Sequence, residues 1–458
     1  MRILLNVPRA YNPKQMYREY PLGVGYIGTV LQQHGHTVSI FDGNVEGSED
    51  QLLIQQVEAF QPDIVGFSVI TPNYPVARNQ IRLLHQFAPD VFLIAGGIHA
   101  SLFPTDLLDD GVHVVVLGEG ELTMPTLIEY FATGHSYDGL PGIACQEDNQ
   151  ARKHFKLSTG IHIDDLPFVD RKLYNLSKYA HHSIMCSRGC PYKCKFCCNY
   201  TDTLNTQGVR VRHQRQVIDE MIHLRNEFGA KEVFFVDDIF FLRRPDAKSF
   251  CRQLIDEGVN MSWIAQMRVD SIDDELAGLM AEAGCRRVYF GIESGSDSIL
   301  RATNKGMTTD DIRKGVLAAK HAGLRVKTGW IYGLPGTIDE QHSSLSLMLE
   351  LRPNEISIHQ LIPFPGTDYY KHAVQYGIRI ANPKAFESFC YGGLGGNITF
   401  DYLSQSQFME LLENTTCELE ASGYVSSDNA QPNSAYIYTT PLNELSMNVF
   451  HPVVEEFI

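Results

Sequence analysis

The sequence lacks an apolar run long enough to cross a bilayer, for which about 20 consecutive apolar residues are needed. It also lacks positive charge. There are 38 Lys and Arg against 54 Asp and Glu, a formal net charge of −16. A protein that grips nucleic acid through its phosphates needs a basic face, and anionic membrane surfaces attract basic segments. Neither nucleic acid nor membrane is therefore expected as a partner. No internal repeat and no low-complexity tract is visible, and no cysteine precedes Cys145. The opening run from Met1 to Pro8 is too short for the core of a signal peptide. Ten cysteines in 458 residues, clustered rather than spread, do not read as a secreted disulfide scaffold. The expected compartment is a reducing cytoplasm.

The composition that remains is ordinary for a globular chain, with 44% hydrophobic and 20% charged residues. The length fits two or three domains. The chemistry is concentrated in Cys190-Pro191-Tyr192-Lys193-Cys194-Lys195-Phe196-Cys197. Three thiols in so short a loop can face one centre, and soft thiolates select zinc or iron–sulfur clusters. Structural zinc favours four ligands in paired modules, as does a fully ligated four-iron cluster. A loop that supplies three leaves one iron open for chemistry. Cys186 and Cys198, its neighbours, read as small buried hydrophobes without a cluster role.

Two stretches of α/β pattern flank a weakly periodic segment. In residues 1–135, apolar strands alternate with amphipathic helices: strands near 3–7, 37–41, 63–69, 91–95 and 112–117, and helices near 23–33, 49–60, 76–87 and 124–133. This predicts a parallel sheet covered on both faces, with ligands beyond the carboxyl ends of its strands. Residues 136–180 read as a linker with a short β-ribbon. From 181 to 375 six further strand–helix units begin near 184, 231, 263, 287, 325 and 355. They predict a partial (β/α)6 barrel with function at the strand carboxyl ends. Residues 376–458 read as a C-terminal extension. It holds a helix over 405–419, a polar loop over 426–433 and a final stretch from 435 that covers the barrel mouth.

The CxxxCxxC spacing resembles the signature of the radical S-adenosylmethionine (SAM) superfamily. The resemblance implies a [4Fe–4S] cluster on Cys190, Cys194 and Cys197, whose open iron chelates SAM and whose reduction splits it to a 5′-deoxyadenosyl radical. It implies that Phe196 lies near the adenine and that Asp237 and Asp238 meet the SAM amino group. Glu293 and Ser294 would bind ribose or methionine groups. In Gly329-Trp330-Ile331-Tyr332-Gly333, Ile331 would pack on the adenine ring. Arg268, at the end of the third strand, is a further candidate SAM contact.

The first strand ends carry Gly66-Phe67-Ser68-Val69-Ile70-Thr71, then Ala95-Gly96-Gly97-Ile98-His99-Ala100, then Gly118-Glu119-Gly120-Glu121. Together these resemble the Rossmann-like, flavodoxin-type cobalamin-binding domain. The resemblance implies that Ser68 and Thr71 face the cobalamin tail and that Gly96 and Gly97 let the tail pass into the core. His99, Glu119 and Gly120 would lie beside the cofactor. Leu22 stands where a cobalt-ligating histidine often occurs and cannot bind metal, which implies cobalamin without a histidine below cobalt.

The two resemblances together imply a cobalamin-dependent radical SAM methyltransferase acting on an unactivated carbon of a small molecule. It would use SAM, the cluster and methylcobalamin, with an electron donor such as flavodoxin or ferredoxin. Three alternatives stay open: cyclisation, ring contraction or oxidation without methyl transfer; methylthiolation, which would need three more cysteines in the first domain; and a cobalamin or redox sensor without turnover.

Overall fold

The computed structural model describes residues 1–10, 19–47, 50–137, 139–147, 150–151, 160–198, 208–389, 396–426 and 436–440. The first sheet is built on β1 (Arg2–Val7), β2 (Thr37–Asp42), β3 (Ile64–Ser68), β4 (Phe92–Gly96) and β5 (Val114–Val116). These run parallel in the order β2-β1-β3-β4-β5. Every residue of β1 after Arg2 is buried, as a strand covered on both faces requires. The covering helices are Leu22–Gln33, Asp50–Phe60, Tyr74–Phe87 and Thr123–Thr133. The β-ribbon expected in the linker is present as β6 (Ile143–Glu147) and β7 (Gln150–Ala151). β6 also extends the first sheet, antiparallel to β5.

The second sheet contains β8 (His182–Ile184), preceding a short ribbon of β9 (Ser187–Arg188) and β10 (Arg210–Val211). It continues with β11 (Glu232–Phe235), β12 (Ser262–Met267), β13 (Cys285–Glu293), β14 (Arg325–Tyr332) and β15 (Glu355–Gln360). The six strands β8 and β11 to β15 are parallel and adjacent in sequence order. This is the arc of a six-stranded partial barrel. Intervening helices include Gln214–Phe228, Arg244–Asp256, Thr309–His321 and Ile338–Leu351. The last two start with capping boxes, Thr308 with Asp311 and Thr337 with Glu340, which satisfy donors that a helix start leaves open.

Beyond β15 the chain returns to the first sheet. A hairpin of β16 (Ile378–Ile380) and β17 (Ile398–Phe400) brackets residues Phe386–Ser388. Phe386, Phe389, Ile378 and Ile398 share one apolar cluster with Leu4, Phe67, Tyr74 and Leu107 of the first unit. The helix expected over 405–419 spans Gln405–Ala421. Two features depart from the sequence reading. Two short helices, Ile98–Leu102 and Pro104–Asp109, fill the connection after β4. An edge strand was also not expected: β18 (Val425–Ser426) pairs with β19 (Tyr436–Thr439), which lies antiparallel along β15. Glycines 392, 393 and 395, most of the 426–433 loop and residues 441–458 lie outside the described residues. Among the described residues no helix is long and apolar enough to cross a membrane.

A polar keystone sits where linker, first unit and barrel meet. Arg171 and Arg212, almost fully buried, both bind Glu220, at 3.1 and 2.7 Å. Arg171 and Tyr20 each donate to the carbonyl of Ser183 on β8. Buried charges are tolerated only when paired in this way.

Candidate active site

The cysteine loop leaves β9 and is held by two backbone bonds to neighbouring elements and by one within itself. Lys195 N–H donates to the carbonyl of Thr303, Tyr369 N–H donates to that of Lys195, and Cys197 N–H donates to that of Cys194. Asn304 adds a side-chain bond to the carbonyl of Lys193 at 2.8 Å. Cys194 is buried, while Cys190, Cys197 and Cys198 are half-buried. Burial pushes the thiols of Cys190 and Cys194 up; Arg268 beside both, and Lys305 beside Cys194, act in the opposite sense. Ligation therefore expels protons as it forms. Among the described residues no three His, Cys, Asp or Glu side chains are already gathered tightly enough to hold a metal ion. The donor set is chemically that of an iron–sulfur site, and the loop carrying it is tied down at Lys193 and Lys195.

Cys186 stands apart from that set. It is fully buried, and its Sγ donates to Asp237 Oδ1 at 3.2 Å. Asp237 follows β11 and is 2% exposed. It accepts from the N–H groups of Cys186 and Ser187 and from Ser187 Oγ. Burial nevertheless pushes its carboxyl up to about 6. The sequence reading set Asp237 among the SAM contacts; the structure places its oxygens under the start of the cysteine loop, as a support for it. Asp238 is exposed and accepts from Gly189 N–H at 3.2 Å.

Arg268 is similarly committed. Its fork takes both oxygens of Asp270, at 2.9 and 2.7 Å, and it donates to the carbonyls of Lys305 and Gly306. Its flat face covers the Tyr192 ring. Glu293 ends β13 at a bulge and takes φ = 71°, a left-handed conformation that costs a non-glycine residue about 1 kcal/mol or more. The bend turns its carboxylate onto Lys305 Nζ at 2.8 Å. Gly291 makes room for this pair, since a Cβ there would lie 2.5 Å from Glu293 Oε1. Lys305 also faces the ring of Phe196 at 5.8 Å. Phe196 and Ile331 are both half-buried and pack against the same apolar cluster. Ser294 is buried, with its Oγ accepting from Ser296 N–H. Arg268, Glu293 and Lys305 thus stand beside the cysteine loop and its Phe196, while Asp237 and Ser294 lie beneath the surface.

At the carboxyl end of the first sheet, Ser68 pairs with Gly96 across β3 and β4. Gly97, at φ = 103°, packs so closely on Val69 that a Cβ would stand 2.6 Å from its carbonyl oxygen. Thr71 and His99 meet at 3.2 Å. His99 is fully buried, stacked on Tyr74 at 4.2 Å and edged by Phe386 at 4.7 Å, with Phe103 on its flank. Burial brings its imidazole down to about 3, so it is neutral. Its Nε2 has no protein partner, an orphaned polar atom at a place suited to a polar ligand group. Leu22 is buried with Tyr20, Tyr26, Ile163, Leu166 and Met185, against the linker. Gly120 packs on Ile27. Glu119 is taken up by arginines, Arg188 and Arg210, which hold its carboxyl below the usual range despite burial. Arg188, Arg210 and Lys305 were not singled out in the sequence, and Glu121 entered only as the last residue of the Gly118-Glu119-Gly120-Glu121 stretch. The position of Arg188, two residues ahead of Cys190, is the one local signal that points to any of them.

Residues 12–128 match the B12 binding domain and residues 184–348 match the radical SAM superfamily. An uncharacterized methyltransferase of Pyrococcus horikoshii is 30% identical over 364 residues, which cover 77% of this chain and 78% of the relative. An anaerobic magnesium-protoporphyrin IX monomethyl ester cyclase of Synechocystis is 25% identical over 392 residues, covering 81% and 77%. Among solved structures, the radical SAM methyltransferase TsrM from Kitasatospora setae, with cobalamin and a [4Fe–4S] cluster bound, superposes with a TM-score of 0.70 at 23% identity. The match covers 82% of this chain and 79% of that one. At that identity the likeness is one of fold.

Proposed function

This chain belongs to the radical SAM enzymes that carry a B12-binding domain, and from that premise we propose that it is a cobalamin-dependent methyltransferase acting on an unactivated carbon of a small molecule, such as a natural-product intermediate. One observation carries the reading. The loop after β5, where a doubly wound sheet places its ligand, is ion-paired to the strand that leads into the cysteine loop. A cofactor in each place would face the other. The methyltransferase relative supports methyl transfer, and the fold shared with a structure holding cobalamin and a [4Fe–4S] cluster supports the cofactor set.

Cys190, Cys194 and Cys197 would hold the cluster. Phe196 and Ile331 would supply apolar walls for adenine, and Glu293, Ser294, Asp238 and Arg268 polar groups around SAM. Ser68, Thr71, Gly96, Gly97 and His99 would line the cobalamin tail, with Glu119, Gly120 and Leu22 nearer the ring. When bound, the cluster supplies the electron that splits SAM, and cobalamin carries the methyl group. The protein's own part is placement: Arg268 holds the loop, Lys305 sets positive charge beside Cys194, and the return of the chain over the first sheet shields its strand ends. The functional units are residues 1–135 and 181–375, joined by 136–180. A flavodoxin or a ferredoxin is the electron donor.

The cyclase relative favours a second reading, radical chemistry without methyl transfer. Incubation with reductant, candidate substrates and methyl-labelled SAM, read by mass spectrometry, separates the two. Label in a carbon-methylated product supports the first. 5′-Deoxyadenosine with an unlabelled, altered substrate supports the second. Absence of 5′-deoxyadenosine from the fully loaded protein removes both.

A further inference from the structure

Two glutamates that follow β5 are held by two arginines that flank the cysteine loop. Arg188 Nη2 donates to Glu121 Oε1 at 2.5 Å, and its Nη1 lies 3.3 Å from Glu119 Oε1. Arg210 is the register partner of Arg188 across β9 and β10. It donates to both oxygens of the same Glu119, from Nη1 at 3.0 Å and from Nη2. The ring of Tyr26, from the first helix, stands 5.4 Å from the Arg188 guanidinium. Arg188 thus touches the first unit with both ends of its fork and with its face.

The burial of this network decides what it can do. The side chains of Arg188 and Glu121 are 17% and 4% exposed. Exposed ion pairs contribute little and are screened. A guanidinium fork shared between two enclosed carboxylates fixes orientation as well as distance. Burial opposes the charge on Arg188, but Glu121 and Glu119 outweigh it, and its pKa is raised.

We propose that Arg188 is a positioning residue which, through Glu121 and Glu119, sets the separation and orientation of the cobalamin-bearing strand ends relative to the cysteine loop. This rests on the reading that both cofactors are bound. Two reagents that converge on one substrate carbon tolerate little displacement, since an error of about 1 Å can cost about a hundredfold in rate.

The test uses the full chain, loaded with cluster and cobalamin and poised so that cob(II)alamin and the reduced cluster are both paramagnetic. The readout is the electron spin relaxation of cob(II)alamin, which a nearby paramagnetic cluster accelerates. Protein carrying cobalamin but no cluster gives the baseline. Arg188→Ala and the milder, near-isosteric Glu121→Gln are expected to retain iron and cobalamin content while the acceleration falls toward baseline. Loaded single variants with unchanged acceleration would overturn the proposal. So would loss of cobalamin from Glu121→Gln, which would mark that residue as a direct contact. Failure of the unaltered chain to bind cobalamin, or to make 5′-deoxyadenosine, would instead remove the underlying reading.

Discussion

The guanidinium carbon of Arg268 lies 3.7 Å from the centroid of the Tyr192 ring. It ties the third barrel strand to a residue inside the cysteine loop. Arg268 is 6% exposed. Removing it strands the Asp270 carboxylate and two carbonyls, so Arg268→Ala is expected to destabilise the protein by about 3 kcal/mol. Tyr192→Ala removes the cation–π contact alone and should cost about 1 kcal/mol. Thermal denaturation, with iron content after reconstitution, checks the order. Equal effects would show that the stacked contact dominates.

The three loop cysteines should be separately required for the cluster. Reconstituted Cys190→Ala, Cys194→Ala and Cys197→Ala are expected to fall short of four irons per chain. Cys186→Ala and Cys198→Ala should keep the wild-type absorption and iron count. For Cys186 the reason is its contact: its thiol is spent on Asp237. Loss of the cluster in either of the last two variants would reassign the ligands.

Glu293→Ala should weaken SAM binding roughly tenfold, the value of one charge-assisted hydrogen bond, while leaving the cluster spectrum intact. Calorimetric titration of SAM into the reconstituted protein measures it. Lys305→Met leaves Glu293 without its 2.8 Å partner and should also reduce affinity. Unaltered affinity in both variants would place the SAM polar contacts elsewhere.

Asp237 predicts a specific pH dependence. Its carboxyl is raised by burial from 3.8 to about 6 in the folded protein. Relative to the unfolded chain, the folded state binds the extra proton between those values. Its favourable contribution is complete below about 3.8 and is lost as pH rises through about 6. The difference is on the order of 3 kcal/mol. Relative to Asp237→Asn, the wild-type protein should therefore lose stability as pH rises from about 4 to about 6.5. Denaturation midpoints of both proteins across that range check the sign. A parallel pair of curves would show that the group does not titrate there.

His99 is not expected to ligate cobalt. It is enclosed by Tyr74, Phe103 and Phe386 and is held neutral. Leucine at position 22 has no lone pair to offer. Electron paramagnetic resonance of bound cob(II)alamin should show no nitrogen coupling from below. His99→Ala should leave that spectrum unchanged while destabilising the first unit by about 3 kcal/mol, as cavity-forming changes in cores do. A nitrogen coupling that vanishes in the variant would refute the assignment.

The parallel strands of both sheets were legible because buried parallel strands are short apolar runs, whereas the antiparallel edge strands β18 and β19 were not. The residues at their ends were legible for the same reason. Helices such as Ile98–Leu102 were not, since five residues carry too little periodicity. Asp237 could be placed at a strand end, but not oriented, because its partners Cys186 and Ser187 lie some fifty residues earlier. The pairing of Arg210 with Glu119 spans 91 residues and leaves no pattern in either neighbourhood. Charge complementarity between units becomes visible only once the chain is folded.

The return of the chain over the first sheet also bears on modularity. Phe386 seals His99 and Tyr74, and Lys384 reaches back to Asp106 at 2.8 Å. Residues about three hundred positions apart in a single polypeptide thus finish one shared surface. A fragment ending near residue 135 would leave that surface bare and prone to self-association. The N-terminal unit is consequently poor material for domain transplantation, and chimeras that exchange it should carry the 370–400 segment along with it.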